Sequence, residues 1–210
     1  MPLRILIADD HTIVRQGFRA ILERAGFEVV GEAVDGQEAV RLAGELKPDV
    51  AVLDVSMPLL NGLEAGREIQ RASKATHVVL LTVHAEAQTV SAALRSGIRG
   101  YVLKSQAAED LVLAIRAVVS HQSYLSPSIS KFVVDAYFNG TTADADPLAP
   151  RERQVLQLVA EGKTSKEIAI ALGIGTSTAE SYRAQVMDKL DIHNTAGLVR
   201  YAIRQGIVQA

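Results

Sequence analysis

The chain has 210 residues, 48% of them hydrophobic and 22% charged, which is typical of an ordinary globular protein of one or two domains. The absence of cysteine excludes disulfides and thiolate metal sites and fits a cytoplasmic location, and no apolar run approaches the roughly 20 residues of a membrane span. Residues 1–120 carry 13 Lys+Arg and 15 Asp+Glu, whereas residues 148–210 carry 8 and 6, so any attraction to nucleic acid is expected to be weak and C-terminal.

In the first 120 residues, short apolar runs alternate with amphipathic segments. The runs predict five strands, at Arg4–Ala8, Glu28–Gly31, Val50–Val55, Val78–Val83 and Tyr101–Leu103. Helical spacing is clearest for Val14, Phe18 and Leu22, before Gly26, and a last helix is predicted at Ala107–Ser120. Because the strands are apolar on both faces, they predict an α/β, doubly wound, five-stranded parallel sheet of the flavodoxin-like type with helices on each side.

The rest of the chain changes to helical patterns. Residues 121–147 are predicted to be a linker, partly helical up to Asn139 and flexible at Gly140–Pro147, where small and polar residues precede a proline. Residues 148–210 are predicted to form an all-α domain of four helices near Pro150–Glu161, Ser165–Leu172, Thr176–Leu190 and Thr195–Gln205.

Chemistry-bearing side chains follow four of the predicted strands. Asp9 and Asp10 follow the first strand, Asp54 ends the third, Thr82 the fourth and Lys104 the fifth. A single aspartate at such a place is usually a turn or cap residue, but all these ends meet at one edge of a parallel sheet. Clustered carboxylates need a cation, and oxygen ligands favour Mg²⁺. With a lysine and a hydroxyl beside them, they are suited to phosphoryl transfer, with Asp54 as the nucleophile.

These strand ends lie in the segments ILIADDH at 5–11, LDVSMPLLNG at 53–62, LLTVH at 80–84 and GYVLKS at 100–105. Through them, residues 3–120 resemble the receiver domain of bacterial response regulators. The resemblance implies that Asp9, Asp10 and Asp54 bind Mg²⁺ together with the main-chain carbonyl of Ser56. It also implies that Asp54 is phosphorylated by a histidine kinase.

The resemblance gives further residues a role. Thr82 and Tyr101 match a switch pair, in which the hydroxyl turns toward the phosphate, the ring moves inward, and the neighbouring surface changes. Ser56 and His84 stand where family side chains flank the phosphoryl group, so we expect them to tune the rate of dephosphorylation.

The C-terminal segment contains signals for two successive helices. Thr164 and Glu167 are spaced as a capping box, and Gly173-Ile174-Gly175 separates the helix that follows from the next one. Two helices joined by a short glycine-containing turn are typical of a helix-turn-helix, although the spacing alone also fits a generic helical bundle.

Residues 148–208 resemble the LuxR-type DNA-binding domain of the NarL/FixJ group, notably through Lys166-Glu167-Ile168-Ala169 and Lys189-Leu190. The resemblance implies that the second helix of the motif enters promoter DNA and that the last helix pairs two domains of a homodimer. The expected DNA-binding residues are Lys163, Lys166, Thr176, Thr178, Ala179, Tyr182, Arg183 and Lys189. Tyr182 has the alternative of packing inward.

The sequence departs from that family in ways that leave alternatives open. Ala149 lacks the hydroxyl that usually caps the first helix, and Gly175 replaces a frequent serine. The recognition helix has no net charge, so modest DNA affinity per domain is predicted. The departures at Ala149 and Gly175, and at Ala179 and Tyr182, where Val and His are common in the family, leave open a degenerate, protein-binding output domain as one alternative. A second is a haloacid-dehalogenase-type phosphohydrolase, but Ser56 stands where that family needs an aspartate. We expect a transcriptional regulator that assists only its own phosphorylation and dephosphorylation, not an enzyme.

Overall fold

The structure is a computed structural model that describes residues 1–83, 90, 93–138 and 147–208, without the side chains at positions 109, 132 and 135–138. The chain divides into two compact units, the first made mainly of residues before 144 and the second mainly of residues from 144 onward. In the described part of the chain, no helix is both long and apolar enough to cross a bilayer.

A parallel sheet forms the centre of the first unit. Its strands are β1 (Arg4–Ala8), β2 (Glu28–Ala33), β3 (Val50–Asp54), β4 (His77–Thr82), β5 (Gly100–Leu103) and β6 (Tyr124–Leu125). Their spatial order is β2-β1-β3-β4-β5-β6, and every described pairing is parallel. The doubly wound α/β fold is thus confirmed, with all five predicted strands.

The sheet has one strand more than predicted, because β6 comes from the segment that we assigned to the linker. The Tyr124 amide donates to the Arg99 carbonyl at 2.8 Å, and the Ser126 amide donates to the Tyr101 carbonyl at 3.1 Å. Two residues are too short to show an alternating pattern, and only the exposed edge of β5 makes them a strand.

Helices cover the sheet. They are α1 (Thr12–Arg24), α2 (Gly36–Leu46), α3 (Gly62–Ala72), α4 (Ala107–Val119) and α5 (Pro127–Phe138), with a 3-10 turn at Lys104–Gln106. Residues 93–95 are also helical. Strand residues such as Ile7, Val52 and Leu81 are fully buried among apolar side chains of α1 and α4. This burial explains why the strands are continuously apolar.

The second unit contains the four predicted helices. They are α6 (Pro150–Ala160), α7 (Ser165–Leu172), α8 (Thr176–Leu190) and α9 (Thr195–Arg204). Their apolar faces enclose a second core, formed by Leu156, Ile168, Ala179, Val186 and Leu198 among others. The all-α, helix-turn-helix class is confirmed.

Candidate functional site

Three of the strand-end side chains meet in a buried cluster. The Lys104 ammonium lies 2.7 Å from Asp9 Oδ2 and 2.8 Å from Asp54 Oδ2. The Asp9 side chain is 0% exposed and that of Asp54 is 2% exposed. The end of β3 is thus bridged to the end of β1 by one cation, although the three residues are far apart in sequence.

Two further groups stand at the outer side of this cluster. The Asp10 carboxylate is partly exposed and lies 2.7 Å from His11 Nδ1, while the His11 amide donates to Asp9 Oδ1 at 2.8 Å. Ligand atoms of Asp9, Asp10 and His11 all lie within 4.8 Å of one another, close enough to hold one metal ion.

One of the two carboxylate oxygens of Asp54 accepts no hydrogen bond from the described residues. This oxygen, Oδ1, is buried, while Oδ2 is bound by Lys104. Buried polar atoms are nearly always satisfied, so such an atom indicates a place for a ligand. A hard cation such as Mg²⁺ fits this oxygen-rich donor set.

Burial and charge oppose each other at Asp54. Burial raises the pKa of the Asp54 carboxyl, and the nearby Lys104 ammonium only partly counters it. For Lys104, burial acts to lower the pKa, but the attraction and hydrogen bonds of Asp54 and Asp9 outweigh it and raise the pKa. The lysine is therefore held as a cation beside the carboxylate.

The loop after Asp54 depends on a glycine. The Gly62 amide donates to the Val55 carbonyl at 2.9 Å, and a Cβ atom at Gly62 would lie only 2.0 Å from the Asp54 carbonyl oxygen. Asn61 caps α3, since its side chain accepts a hydrogen bond from the Glu64 amide at 3.0 Å. The start of α3 thus lies directly against the end of β3.

One residue at this site was not predicted. The buried Arg15 guanidinium on α1 donates to the main-chain carbonyl of Asp9 at 2.7 Å and also contacts Glu32 at 3.4 Å. This contact fixes the backbone that carries the acidic pair. The available signal was that Arg15 shares the buried face of α1 with Phe18 and Leu22, where an arginine needs partners.

The proposed switch residues are both buried. Thr82 ends β4, and Tyr101 is the second residue of β5, with its ring 2% exposed. Ser56 is half-buried, two residues beyond Asp54. His84, the other residue predicted to tune dephosphorylation, lies outside the described residues.

In the second unit, α7 and α8 are joined by a tight turn. Thr164 caps α7, and its amide donates to the Glu167 carboxylate at 2.8 Å. Gly173 adopts a left-handed conformation (φ 63°), and the Ile174 amide returns to the Ala169 carbonyl at 3.0 Å. This closure ends α7, and α8 begins after a turn of three residues, as in a helix-turn-helix.

The comparisons with known proteins agree with both units. Residues 5–116 match the response regulator receiver domain, and residues 146–202 match the bacterial regulatory proteins of the luxR family. This chain is a LuxR-family response regulator.

Relatives match the response regulator along its whole length. The transcriptional regulatory protein MctR of Rhizobium johnstonii is 36% identical, covering 98% of this chain and 95% of the relative. Response regulator UvrY of Escherichia coli K12 is 35% identical, covering 99% and 97%. A structure of RcsB from Salmonella enterica serovar Typhimurium, bound to promoter rprA in the presence of the phosphomimetic BeF3-, is 31% identical with a TM-score of 0.66, covering 96% and 98%.

Two residues of the response regulator's expected DNA surface face the second core. Ala179 is fully buried in that core, which leaves its side chain no exposed surface for the predicted DNA contact. Tyr182 is half-buried and packs against the same core, as in the inward alternative. Both lie on the apolar face of α8. Which side of α8 becomes this face depends on how the neighbouring helices pack against it.

Two of the expected cations of α8 already have partners. Lys189 Nζ lies 2.7 Å from the buried Glu152 carboxylate, which also accepts from the Ala149 amide at 2.7 Å. The Arg183 guanidinium donates to the Thr195 hydroxyl at 2.6 Å. These contacts tie α8 to the helices beside it, so neither cation is freely available.

The remaining expected residues are accessible. Lys166, Thr176 and Thr178 are exposed, and Lys163 is half-buried. Other exposed positions of α8 were not among the predicted DNA contacts, among them Ser177, Ser181, Ala184 and Gln185. Their spacing of three and four residues was the available signal, since it places them opposite the apolar face.

Proposed function

We propose that Asp54 accepts a phosphoryl group from a histidine kinase and that this charge controls dimerisation and promoter binding by the C-terminal domain. The observation that carries the proposal is the buried Asp54 carboxylate, paired with Lys104 through one oxygen and without a hydrogen-bond partner in the described structure at the other. The family membership supports this role and favours a regulator over an independent enzyme.

In the phosphotransfer step, an Asp54 oxygen attacks the phosphorus of the kinase phosphohistidine. The phosphorus–nitrogen bond breaks, its electron pair leaves with the imidazole, and an acyl phosphate forms on Asp54. Lys104, 2.8 Å from the carboxylate, balances the added negative charge. Asp9, Asp10, Asp54 and the Ser56 carbonyl would hold Mg²⁺, which supplies charge neutralisation for the phosphoryl oxygens.

The new charge is proposed to act through the residues around it. Phosphorylation changes the Asp54 side chain from one negative charge to nearly two and adds strong acceptor oxygens. The Thr82 hydroxyl is suited to donate to them, and Tyr101, buried on the neighbouring strand, is suited to transmit the shift. Ser56 and His84 are proposed to govern the access of water to the phosphoryl group.

For the output, we propose that α8 enters the major groove of double-stranded promoter DNA, in the cytoplasm. Thr176, Thr178, Ser177 and Ser181 present small polar groups, and Lys166 contacts phosphate. Because α8 carries no net charge, affinity per domain is expected to be modest and to rise when a homodimer engages two half-sites. The DNA-bound RcsB structure supports this arrangement.

The proposal is tested by incubating the full chain with Mg²⁺ and a small phosphodonor. We compare the wild type, Asp54→Asn, and a matched Asp191→Asn control whose side chain is 96% exposed. The wild type and the control should gain one acid-resistant, base-labile phosphoryl group and bind a selected promoter more tightly, whereas Asp54→Asn should do neither. Phosphorylation of Asp54→Asn to the wild-type level would contradict the proposal.

The output is tested separately from the phosphorylation. Selection from random-sequence duplexes by the phosphorylated chain should enrich a paired site with two-fold symmetry. If the chain gains the phosphoryl group but enriches no DNA, the receiver role stands and the output is instead a protein-binding module.

A further inference from the structure

A cavity lies at the ends of the strands opposite to those that carry Asp54 and Lys104. It has a volume of about 420 Å³ and surrounds the start of β4, between the C-terminal end of α3 and the residues that follow α4. His77, the first residue of β4, pairs in register with Val50 at the start of β3, whereas Asp54 ends β3. The cavity is therefore separated from the phosphorylation site by the length of strands β3 and β4.

The lining of this cavity is strongly basic. Its cationic and imidazole side chains are Arg67, Arg71, Lys74, Arg99, His77 and His121, and no carboxylate is among the described lining residues. Positive charges gathered in one cavity repel one another unless anionic groups neutralise them.

Part of this charge has no neutralising partner. Arg67 is held by Glu64 at 2.5 Å, and Arg99 donates to the main-chain carbonyl of His121. Arg71 and Lys74 are exposed and make no ion pair with any residue that the structure describes. Two exposed cations of the cavity lining thus remain available.

His77 experiences the positive charge directly. Its ring meets that of His121 edge-on, with centroids 5.2 Å apart. Burial lowers the pKa of His77, and the charges of His121 and Arg99 lower it further, while Asp49 opposes the change. An anion in the cavity would reverse this repulsion and favour the protonated imidazole.

We propose that this cavity binds a small polyanion, namely a phosphate or polyphosphate ester of about mononucleotide size. The volume lies within the roughly 300–1,000 Å³ of small-molecule sites. Arginine side chains bind phosphate through paired, charge-assisted hydrogen bonds, and lysine adds a point charge. The site is independent of Asp54, so its occupancy and the phosphorylation can be measured apart.

The test is a calorimetric titration of the full chain with pyrophosphate and, separately, with ATP. The buffer contains EDTA, so that no metal ion draws phosphate to the acidic cluster around Asp54. The test variant is Arg71→Gln with Lys74→Gln. The control is Arg24→Gln with Lys131→Gln, which removes the same charge at exposed positions that do not line the cavity.

The wild type and the control should bind pyrophosphate alike, and the test variant at least about tenfold more weakly. Tenfold corresponds to about 1.4 kcal/mol, less than one charge-assisted hydrogen bond typically contributes. Tighter binding of ATP would show that the cavity also accepts the nucleoside, whereas equal binding would show that it recognises the polyphosphate alone. No binding of either anion, or equal binding by the test variant, would overturn the proposal.

A second readout is specific to the cavity. The His77 imidazole, followed by NMR, should titrate at higher pH when pyrophosphate is present, because the bound anion offsets the charges of His121 and Arg99. The test variant should show little of this shift at the same pyrophosphate concentration. An unchanged His77 titration in the saturated wild type would place the anion elsewhere and refute the assignment.

Discussion

Replacement of Gly62 by alanine tests how closely α3 approaches the phosphorylation site. The added Cβ would lie 2.0 Å from the Asp54 carbonyl oxygen, whereas ordinary contacts begin near 3.4 Å. The chain must therefore move by about 1.4 Å, and the obstructing atom belongs to the backbone, so no side-chain rotation relieves the clash. Overpacking of this kind typically costs about 1–3 kcal/mol.

Gly44→Ala is the matched control. Gly44 also lies in a helix of the first unit, α2, but a Cβ there meets nothing within 4 Å. Alanine at such a helix position should stabilise the protein by roughly 0.5–1 kcal/mol, because the unfolded chain loses freedom. The two variants should therefore differ by about 1.5–4 kcal/mol in the free energy of unfolding, with opposite signs relative to the wild type.

The assay pairs urea unfolding with phosphorylation by a small donor. Gly62→Ala should unfold at lower urea and gain its phosphoryl group more slowly than the wild type, because the shifted loop carries Asp54 with it. Gly44→Ala should unfold at slightly higher urea and react at the wild-type rate. If Gly62→Ala matched Gly44→Ala in both measurements, the close contact between α3 and β3 would be refuted.

Three more predictions concern caps and titrating groups. Thr164→Ala should destabilise the C-terminal domain by about 1 kcal/mol in urea unfolding by removing the cap of α7, whereas Thr164→Ser should not. Lys189→Met should cost about 1 kcal/mol at neutral pH, because the Glu152 carboxylate, 5% exposed, loses its cation. Burial acts to raise the pKa of Glu152, but hydrogen bonds from Lys189 and from a main-chain amide outweigh it and lower the pKa. The stability lost in Lys189→Met should therefore disappear in acid, as Glu152 becomes protonated. A loss that stays constant down to acid pH would contradict this. Burial and the Asp110 carboxylate raise the pKa of Tyr124 to about 12. An absorbance titration should therefore show one tyrosine that ionises late, and the stability that Tyr124 contributes should be lost as pH rises from about 10 toward 12. Tyr124→Phe should remove the late-ionising signal.

The conversion of the linker segment into part of the first unit has a physical cause. Tyr124 and the buried Ser126 both donate hydrogen bonds to the Asp110 carboxylate on α4, and the Ser126 hydroxyl accepts from the Leu103 amide. These contacts connect β6 and the residue after it to Leu103, which directly precedes Lys104 of the phosphorylation site. Sequence periodicity could not indicate them, because they join polar groups from three separate elements.

The sequence alone was sufficient for the parts of this protein that local periodicity and composition control. Apolar runs defined the five strands, and cap signals such as Thr164 and Gly173 defined the helix-turn-helix, because these preferences depend on near neighbours. The strand-end rule was also sufficient to gather Asp9, Asp54 and Lys104, since every parallel sheet aligns its carboxyl ends.

Tertiary structure decided which partner each polar side chain finds. Arg15 beneath Asp9, Lys189 on Glu152 and Ala179 inside the second core all depend on the rotation and separation of whole helices. A helix shows in its sequence which face is apolar, but not which distant carboxylate or carbonyl will lie opposite one of its cations. That choice is made only when the helices pack, because burial then requires each polar group to be satisfied.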